Sequence, residues 1–260
     1  MKRTIMSREE FLRLMRAPGK KDLHVHTYYS DGRSSPEEVV LSAIGKGLSV
    51  IGISDHSYTS FDGTYCMKYD KIPEYLAEIA RLKEKYSDRI TVLCGVEQDL
   101  YGDYPTDEFD YAIGSVHYFR KDDAPFYAVD ESAETLRECA DRMFGGDIYA
   151  LTEHYYATVA RLCDVPGVVM VGHFDLVTKF SERSDLFDIH HPRYRAAWQA
   201  AADRLLAAGL PFEINTGAIS RGYRTTPYPD PEIFAYLRER GAEFFFSSDS
   251  HRAENVCFGF

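Results

Sequence analysis

The sequence predicts an α/β protein built as a distorted seven-stranded (β/α)7 TIM-like barrel. Seven apolar, strand-like runs occur along the chain, and most of them are separated by helix-like segments, which is typical of a parallel sheet. No glycine-rich phosphate-binding turn follows the first strand, and this favours a barrel over a doubly wound sheet. The strands near residues 90–96 and 110–116 have no helix between them, so we expect the barrel to be irregular.

The individual elements are predicted from caps, breakers and periodicity. Ser7 and Glu10 form a capping-box pattern for a short first helix, which Pro18 and Gly19 end. Strands are predicted at 21–25, 48–54, 90–96, 110–116, 167–172, 210–215 and 242–248. Further helices are predicted at 35–47, 72–86, 132–143, 147–162, 192–208 and 231–239. We therefore expect residues 1–20 to form a helical extension and residues 21–260 a single barrel domain.

Composition and charge restrict the classes of partner. The net charge is −11, with 41 acidic and 30 basic residues, which opposes a nucleic-acid surface. No apolar run approaches the roughly 20 residues of a membrane helix, and the N-terminus lacks the apolar core of a signal peptide. The five cysteines form no C-x-x-C pair, which is typical of thiols in a reducing compartment. We expect a cytoplasmic protein with neither nucleic-acid nor membrane partners.

The first strand runs into the segment DLHVHTYYSDG, residues 22–32. In an extended segment the side chains of His24 and His26 point to the same side. Two imidazoles on one face are either part of a solvated strand surface or half of a metal site. This segment alone leaves both interpretations open.

The ends of the other strands favour the metal site. Histidines and carboxylates follow the predicted strands at Asp55, His56, Glu97, His117, His173, Asp175, Glu213, Asn215, Asp249 and His251. The C-terminal ends of parallel barrel strands meet at one mouth, where the chemistry of such barrels takes place. Imidazole and carboxylate ligands suit zinc, iron and manganese. Glu97 is the natural bridge between ions, because a carboxylate offers two oxygens, and closely spaced ions promote phosphoryl transfer.

The ordered motifs DLHVHTYYSDG, ISDH, GVEQD, IGSVHYF, VGHFD and SSDSH resemble the polymerase and histidinol phosphatase (PHP) superfamily. The segments GHFDLVTKF, FEINTGAISRGYR and SSDSHRAENVCFGF are similar to its monofunctional histidinol-phosphatase branch. The resemblance spans about residues 21–260 and implies a distorted seven-stranded barrel that binds three divalent metals, zinc, iron or manganese. The implied metal ligands are His24, His26, Asp31, His56, Glu97, His117, His173, Asp249 and His251.

The branch implies hydrolysis of a small phosphorylated substrate, L-histidinol phosphate, to L-histidinol and phosphate, a reaction of histidine biosynthesis. We expect four residues to act in the reaction, namely Glu97, His117, Asp249 and Arg221. The resemblance places a phosphate-binding basic residue at Arg221, and arginine can hold a phosphate by paired hydrogen bonds. Arg224, Lys179 and Arg183 are further candidates for binding the substrate.

Other functions remain open at the level of sequence. A related domain acting on another phosphate ester or on nucleic-acid ends is one alternative, and a non-catalytic metal-binding protein is another. Motifs of cysteine phosphatases, aspartyl-phosphate enzymes and P-loop proteins are missing from the sequence. We expect Asp175 to orient His173 or its loop, and Glu213 and Asn215 to support the barrel rim.

Overall fold

A computed structural model describes residues 5–260 of the chain. Its strands are β1 (Lys20–Asp22), β2 (Leu48–Ile53), β3 (Thr91–Asp99), β4 (Tyr111–Ser115), β5 (Tyr118–Phe119), β6 (Tyr127–Ala128), β7 (Val168–Val171), β8 (Phe212–Asn215) and β9 (Phe244–Ser247). Its α-helices are α1 (Arg8–Arg16), α2 (Pro36–Gly45), α3 (Ile72–Lys85), α4 (Ala133–Phe144), α5 (Ile148–Val159), α6 (Pro192–Ala207), α7 (Gly217–Ser220) and α8 (Pro231–Glu239).

Seven of these strands form one parallel sheet in the order β1–β2–β3–β4–β7–β8–β9. The predicted (β/α)7 barrel is therefore confirmed. The predicted irregularity is also present, because a short 3-10 turn at Thr106–Glu108 connects β3 to β4 where an α-helix would otherwise stand. The antiparallel hairpin of β5 and β6 was not predicted, since each of its strands has two residues.

The helices form the outer layer, and all of them except the short α7, which was not predicted, begin within one residue of a predicted start. Both capping boxes are present, Ser7 with Glu10 on α1 and Ser35 with Glu38 on α2. Helix α3 buries Tyr75, Ile79 and Leu82, and this spacing places the three side chains on one face towards the sheet. None of the helices within residues 5–260 is long and apolar enough to cross a membrane.

Helix α1 lies against the bottom of the barrel. The ring of Phe11 is buried and lies 6.3 Å from Tyr111 and 6.1 Å from Phe245, centre to centre. The Tyr111 hydroxyl crosses the interior and donates to the Leu23 carbonyl at 2.5 Å. A Cβ on Gly95 would lie 2.3 Å from the Tyr111 ring, so only glycine fits there. That residues 1–20 form a separate extension stays a prediction, and residues 1–4 lie outside the described part.

The two edges of the sheet are joined by Asp22. Its Oδ1 accepts a hydrogen bond from the Ser248 backbone N–H at 3.1 Å, and its Oδ2 accepts from the Ser248 hydroxyl and from the Cys257 N–H. A parallel bridge joins Val25 to Ser250 just beyond. Strand β1 ends at Asp22, earlier than the predicted Val25, although the Val25 carbonyl still accepts a hydrogen bond from the Ser54 N–H just after β2 at 2.9 Å.

Candidate metal centre

The predicted ligands come together at the C-terminal rim of the barrel. His24 and His26 follow β1, His56 follows β2, and Glu97 lies within β3. The remaining candidates lie in the loops after the strands, at Asp31, His117, His173, Asp249 and His251. They meet at a cavity of about 500 Å³, a volume within the ordinary range for small-molecule sites. One short parallel bridge, His56 with Glu97, holds the rim in register there.

Glu97 is the centre of the cluster. Its Oε1 lies 2.7 Å from His173 Nε2 and 3.3 Å from His117 Nε2. Its Oε2 is the nearer oxygen to three further imidazole nitrogens, His56 Nδ1 at 2.8 Å, His24 Nε2 at 3.2 Å and His26 Nε2 at 3.5 Å. Burial raises the pKa of Glu97, but the surrounding imidazoles outweigh burial and hold that pKa well below its ordinary value. One ionised carboxylate thus contacts five histidines.

Asp249 forms the opposite side of the cluster. Its Oδ1 lies 3.2 Å from His26 Nε2, and its backbone has a φ of 46°, a conformation that is uncommon for a residue with a Cβ. This turn directs the carboxylate inwards. A Cβ on Gly217 would lie 2.6 Å from Asp249 Oδ2, so the neighbouring loop needs a glycine to leave room for the carboxylate.

Asp31 and His251 lie at the outer edge of the cluster. His251 Nε2 lies 3.1 Å from Asp31 Oδ2, and His56 Nε2 lies 3.6 Å from Asp31 Oδ1. The loop of Asp31 is held by a hydrogen bond from the Arg33 N–H to the His251 carbonyl at 2.8 Å. The segment after β1 therefore supplies ligands to both the buried and the open side of the site.

Carboxylates behind the cluster orient it. Glu213 Oε1 lies 2.5 Å from His24 Nδ1, and Glu213 Oε2 accepts from the His173 backbone N–H at 2.8 Å. Asp99 accepts from the backbone N–H of His117 at 2.7 Å. From the sequence, Glu213 was expected only to support the barrel rim, and Asp99 was not predicted. Asp99 lies two residues after Glu97, on the same face of β3, and this spacing was the signal that could have identified it.

Asp175 supports its loop and does not orient the ring of His173. Its Oδ2 accepts from the Asp230 backbone N–H at 3.0 Å and from the Thr178 hydroxyl at 3.3 Å. Arg224 Nη1 lies 3.6 Å from the same oxygen. Asp175 was expected to orient either His173 or its own loop, and these contacts correspond to orienting the loop.

The donor set fits divalent metal ions. His24 Nε2, His26 Nε2 and Glu97 Oε2 are buried, and their close contacts with one another lack the geometry of hydrogen bonds. Buried polar atoms without partners are costly, and a cation would satisfy them together. Four groups of candidate ligands each bring their donor atoms within 4.8 Å of one another: His26, Asp31, His56 and His251; His24, His26 and Glu97; His24, His173 and Asp249; His56, Glu97 and His117. Imidazole and carboxylate donors suit zinc, iron and manganese.

The four basic candidates separate into two pairs. Arg221 and Lys179 line the cavity. Arg221 donates to the Asp249 backbone carbonyl at 2.6 Å and to Asp249 Oδ2 at 2.9 Å, which places its guanidinium at the edge of the cluster. Lys179 Nζ donates to Asp130 Oδ2 at 3.0 Å.

Arg224 and Arg183 are not among the residues that line the cavity, and their contact with a substrate stays a prediction. Arg224 is buried, lies 4.5 Å over the Tyr228 ring and donates to the Thr178 hydroxyl. Arg183 is exposed in the turn after Phe180. Arg221 and Arg224 are three residues apart in the ISRGYR motif. Side chains at this spacing in a loop can point in opposite directions, and the motif does not reveal their directions.

The fold is a parallel barrel, and a buried cluster of histidines and carboxylates lies at its C-terminal rim. This combination defines a class of metal-binding barrel proteins that carry out hydrolysis. Residues 22–217 match the PHP domain model, and the chain belongs to the PHP domain family.

A relative agrees with this membership, and two solved structures share the fold. A Deinococcus radiodurans protein named "Probable histidinol-phosphatase" is 30% identical over 93% of this chain and 90% of its own length. The crystal structure of hisK from Listeria monocytogenes superposes with a TM-score of 0.77 at 21% identity, covering 92% of this chain and 98% of that chain. Histidinol phosphate phosphatase from Lactococcus lactis, solved with Zn, L-histidinol and phosphate, gives a TM-score of 0.62 at 22% identity, with 90% and 87% covered.

Proposed function

We propose that the protein is a metal-dependent phosphomonoesterase that hydrolyses L-histidinol phosphate to L-histidinol and phosphate. The observation that carries this proposal is the convergence of five imidazoles on the Glu97 carboxylate, within a cavity large enough for a small substrate. The substrate follows from the names of the relatives, one of which is 30% identical over nearly the whole chain. The Lactococcus lactis structure of the same fold holds Zn and both products of the reaction.

We assign the ions to the residues that converge at the rim. The proposed ligands are His24, His26, Asp31, His56, Glu97, His117, His173, Asp249 and His251, and they would hold three divalent ions, zinc, iron or manganese. Several of these residues belong to more than one of the candidate groups, which supports a shared, multinuclear site over a single ion. When bound, such ions polarise the phosphate ester and acidify a coordinated water.

The protein side chains bind and orient the ester. Arg221 presents its guanidinium between Asp249 and His251, with Nη1 3.0 Å from His251 Nδ1. A planar guanidinium can donate two parallel hydrogen bonds to phosphate oxygens, so we assign phosphate binding to Arg221. Glu97, His117 and Asp249 also line the cavity, and we assign them direct contact with the reacting groups.

Steady-state phosphate release tests the proposal. Protein purified without chelators is offered L-histidinol phosphate and a panel of sugar and nucleotide monophosphates. We expect L-histidinol phosphate to have the highest kcat/KM, and we expect the activity to disappear on chelation and to return with zinc or manganese. The variant E97Q serves as the inactive control. Equal, slow hydrolysis of every ester would refute the assignment of the substrate, and activity that survives chelation would refute the metal site.

A further inference from the structure

Asp55 is a buried carboxylate at the rim that takes part in none of the candidate metal groups. It lies just after β2 and precedes the candidate ligand His56. Asp55 is fully buried, and none of the four groups of candidate ligands within residues 5–260 contains it. A buried carboxylate is costly unless its oxygens accept hydrogen bonds, so the donors around Asp55 show which part of the chain it serves.

The side chain of Asp55 accepts three hydrogen bonds from one turn. Its Oδ1 accepts from the Thr27 backbone N–H at 2.7 Å and from the Ser30 hydroxyl, and its Oδ2 accepts from the Thr27 hydroxyl at 2.7 Å. The N–H groups of Ser30 and Gly32 both donate to the Thr27 carbonyl at 3.0 Å, which closes the chain into a tight turn. We call residues 27–32 the Asp31 turn, because Asp31 lies within it. Asp55 therefore holds both the start and the middle of this turn.

Asp31 depends on its turn more than the other proposed ligands do. Its side chain is 34% exposed, more than that of any other proposed ligand. Packing between strands therefore does not fix the Asp31 carboxylate, and its position follows from the turn that carries it. The candidate group that contains Asp31, which we call the outer group, consists of His26, Asp31, His56 and His251.

The Asp31 turn lies directly on the backbone of another ligand. A Cβ on Gly32 would lie 2.6 Å from the His26 carbonyl oxygen, so there is no room for the turn to move closer to His26. Movement in other directions would break the hydrogen bonds to Asp55. These two constraints together leave one position for the turn, and with it one position for the Asp31 backbone.

We propose that Asp55 is a positioning residue that fixes the Asp31 turn and thereby places the Asp31 carboxylate for the ion of the outer group. The inference rests on the proposed function, in which Asp31 is a metal ligand. Asp55 contacts neither the ion nor the substrate in this assignment, and it acts through the backbone of Thr27 and the hydroxyls of Thr27 and Ser30. A ligand that is already held in place gives up less conformational freedom when the ion binds.

Zinc binding tests the proposal in D55N and S30A. Elemental analysis gives the zinc bound per chain after dialysis against increasing concentrations of a chelator of known affinity. The amide of D55N keeps one acceptor oxygen and presents N–H donors to a group that also donates. We therefore expect D55N to weaken the binding of one zinc ion about 10- to 100-fold, the scale for partners that orient ligands. S30A removes one of the three hydrogen bonds and should weaken the same ion less.

D147A is the control for loss of stability alone. Asp147 caps α5 by accepting from the backbone N–H groups of Tyr149 and Ala150, and it is not among the residues that line the cavity. Removing such a cap lowers folding stability. We expect D147A to have a lower Tm and the zinc titration of wild type. Zinc loss in D147A equal to that in D55N would show that destabilisation by itself loosens the ion, and this would overturn the inference.

A double-mutant cycle separates positioning from a merely structural role. D31N removes the ligand itself and should weaken the same zinc ion. If Asp55 acts through Asp31, D31N and the double variant D31N/D55N should have equal zinc affinity. Losses that add in the double variant would overturn the inference, and so would wild-type zinc binding in D31N.

Hydrolysis of L-histidinol phosphate by wild type tests the proposed function separately. If wild type hydrolyses the ester while folded D55N and S30A keep the wild-type zinc affinity, the positioning role is wrong and the function stands. If D55N weakens zinc binding in wild type but not in D31N, while wild type leaves the ester intact, the positioning role stands and the substrate assignment falls.

Discussion

His24 Nδ1 lies 2.5 Å from Oε1 of Glu213, and both side chains are fully buried. A carboxylate beside one ring nitrogen favours the proton on that nitrogen, which leaves the lone pair of the other nitrogen free for a metal. The other nitrogen of His24, Nε2, is the one that faces Glu97 at 3.2 Å. Glu213 also accepts from the backbone of His173, so one carboxylate contacts two candidate ligands that follow different strands, β1 and β7.

We expect E213Q to weaken metal binding about 10- to 100-fold, the scale measured when such orienting partners are removed. The amide cannot act as a charged acceptor for His24 Nδ1, so the ring loses its preferred orientation. Competition with a chelator of known affinity measures the change. E243Q is a suitable control, because Glu243 pairs with Arg16 at the other end of the barrel. An unchanged chelator midpoint in E213Q would contradict the orienting role.

E97Q should lose at least one metal ion and several orders of magnitude in kcat/KM. The neutral amide offers one good acceptor oxygen, so it cannot bridge ions or offset their mutual repulsion. Losses of this size are expected when a central member of a catalytic unit is removed. Elemental analysis gives the metal content, and circular dichroism checks that the barrel has folded. Full metal content with near-normal turnover would show that another carboxylate, such as Asp249, organises the site.

R221A should keep its metals and raise the KM for L-histidinol phosphate about 10- to 100-fold, with a smaller change in kcat. The guanidinium lines the cavity and contacts Asp249 and His251, but it is not itself a proposed metal ligand. Its removal therefore costs mainly charge-assisted hydrogen bonds to the phosphate. Titration of inorganic phosphate as a competitive inhibitor should show a parallel loss of affinity. A variant that binds phosphate as wild type does would exclude this role.

R224A should differ from R221A, because we expect it to change stability and to leave KM unchanged. Arg224 is buried beside the buried Asp175, and removing one partner of a buried pair costs about 3–5 kcal/mol of folding stability. We expect a clear drop in Tm with an unchanged KM in the protein that remains folded. Differential scanning calorimetry measures Tm, and phosphatase kinetics measure KM, for both R221A and R224A. Each variant serves as the control for the other. A raised KM in R224A would restore it as a substrate contact.

We expect the contacts that Glu37 of α2 makes with α3 to contribute to folding stability in a pH-dependent way. Hydrogen bonds from Lys85, Tyr86 and Arg81 lower the pKa of Glu37 from 4.5 to about 2. Because the pKa is lower in the folded state, the stabilisation is complete above pH 4.5 and is lost as the pH falls towards 2. Urea midpoints of wild type and E37Q should therefore differ at pH 7 and converge in acid. A constant difference across this range would contradict the assignment.

Local rules account for the parts of the site that the sequence predicted. His24 and His26 share a face because strands alternate with a period of two, and the ends of parallel barrel strands meet at one rim. The helix starts at Ser7 and Ser35 also depend on residues three positions apart. Each of these patterns is contained in a few neighbouring residues, so it could be predicted without tertiary contacts. The ligand roles themselves stay predictions.

The sequence by itself determined the succession of strands and helices along the chain, the two capping boxes, and the placement of histidines and carboxylates at the strand ends. The tertiary structure decided which side chains meet, because those contacts join distant parts of the chain. His24 and Glu213 are 189 residues apart in sequence, and no periodicity connects them. The different placements of Arg221, at the cavity, and Arg224, buried beside Asp175, depend on how loops pack. Loop packing follows from burial and hydrogen bonding across the whole fold, and short-range patterns do not encode it.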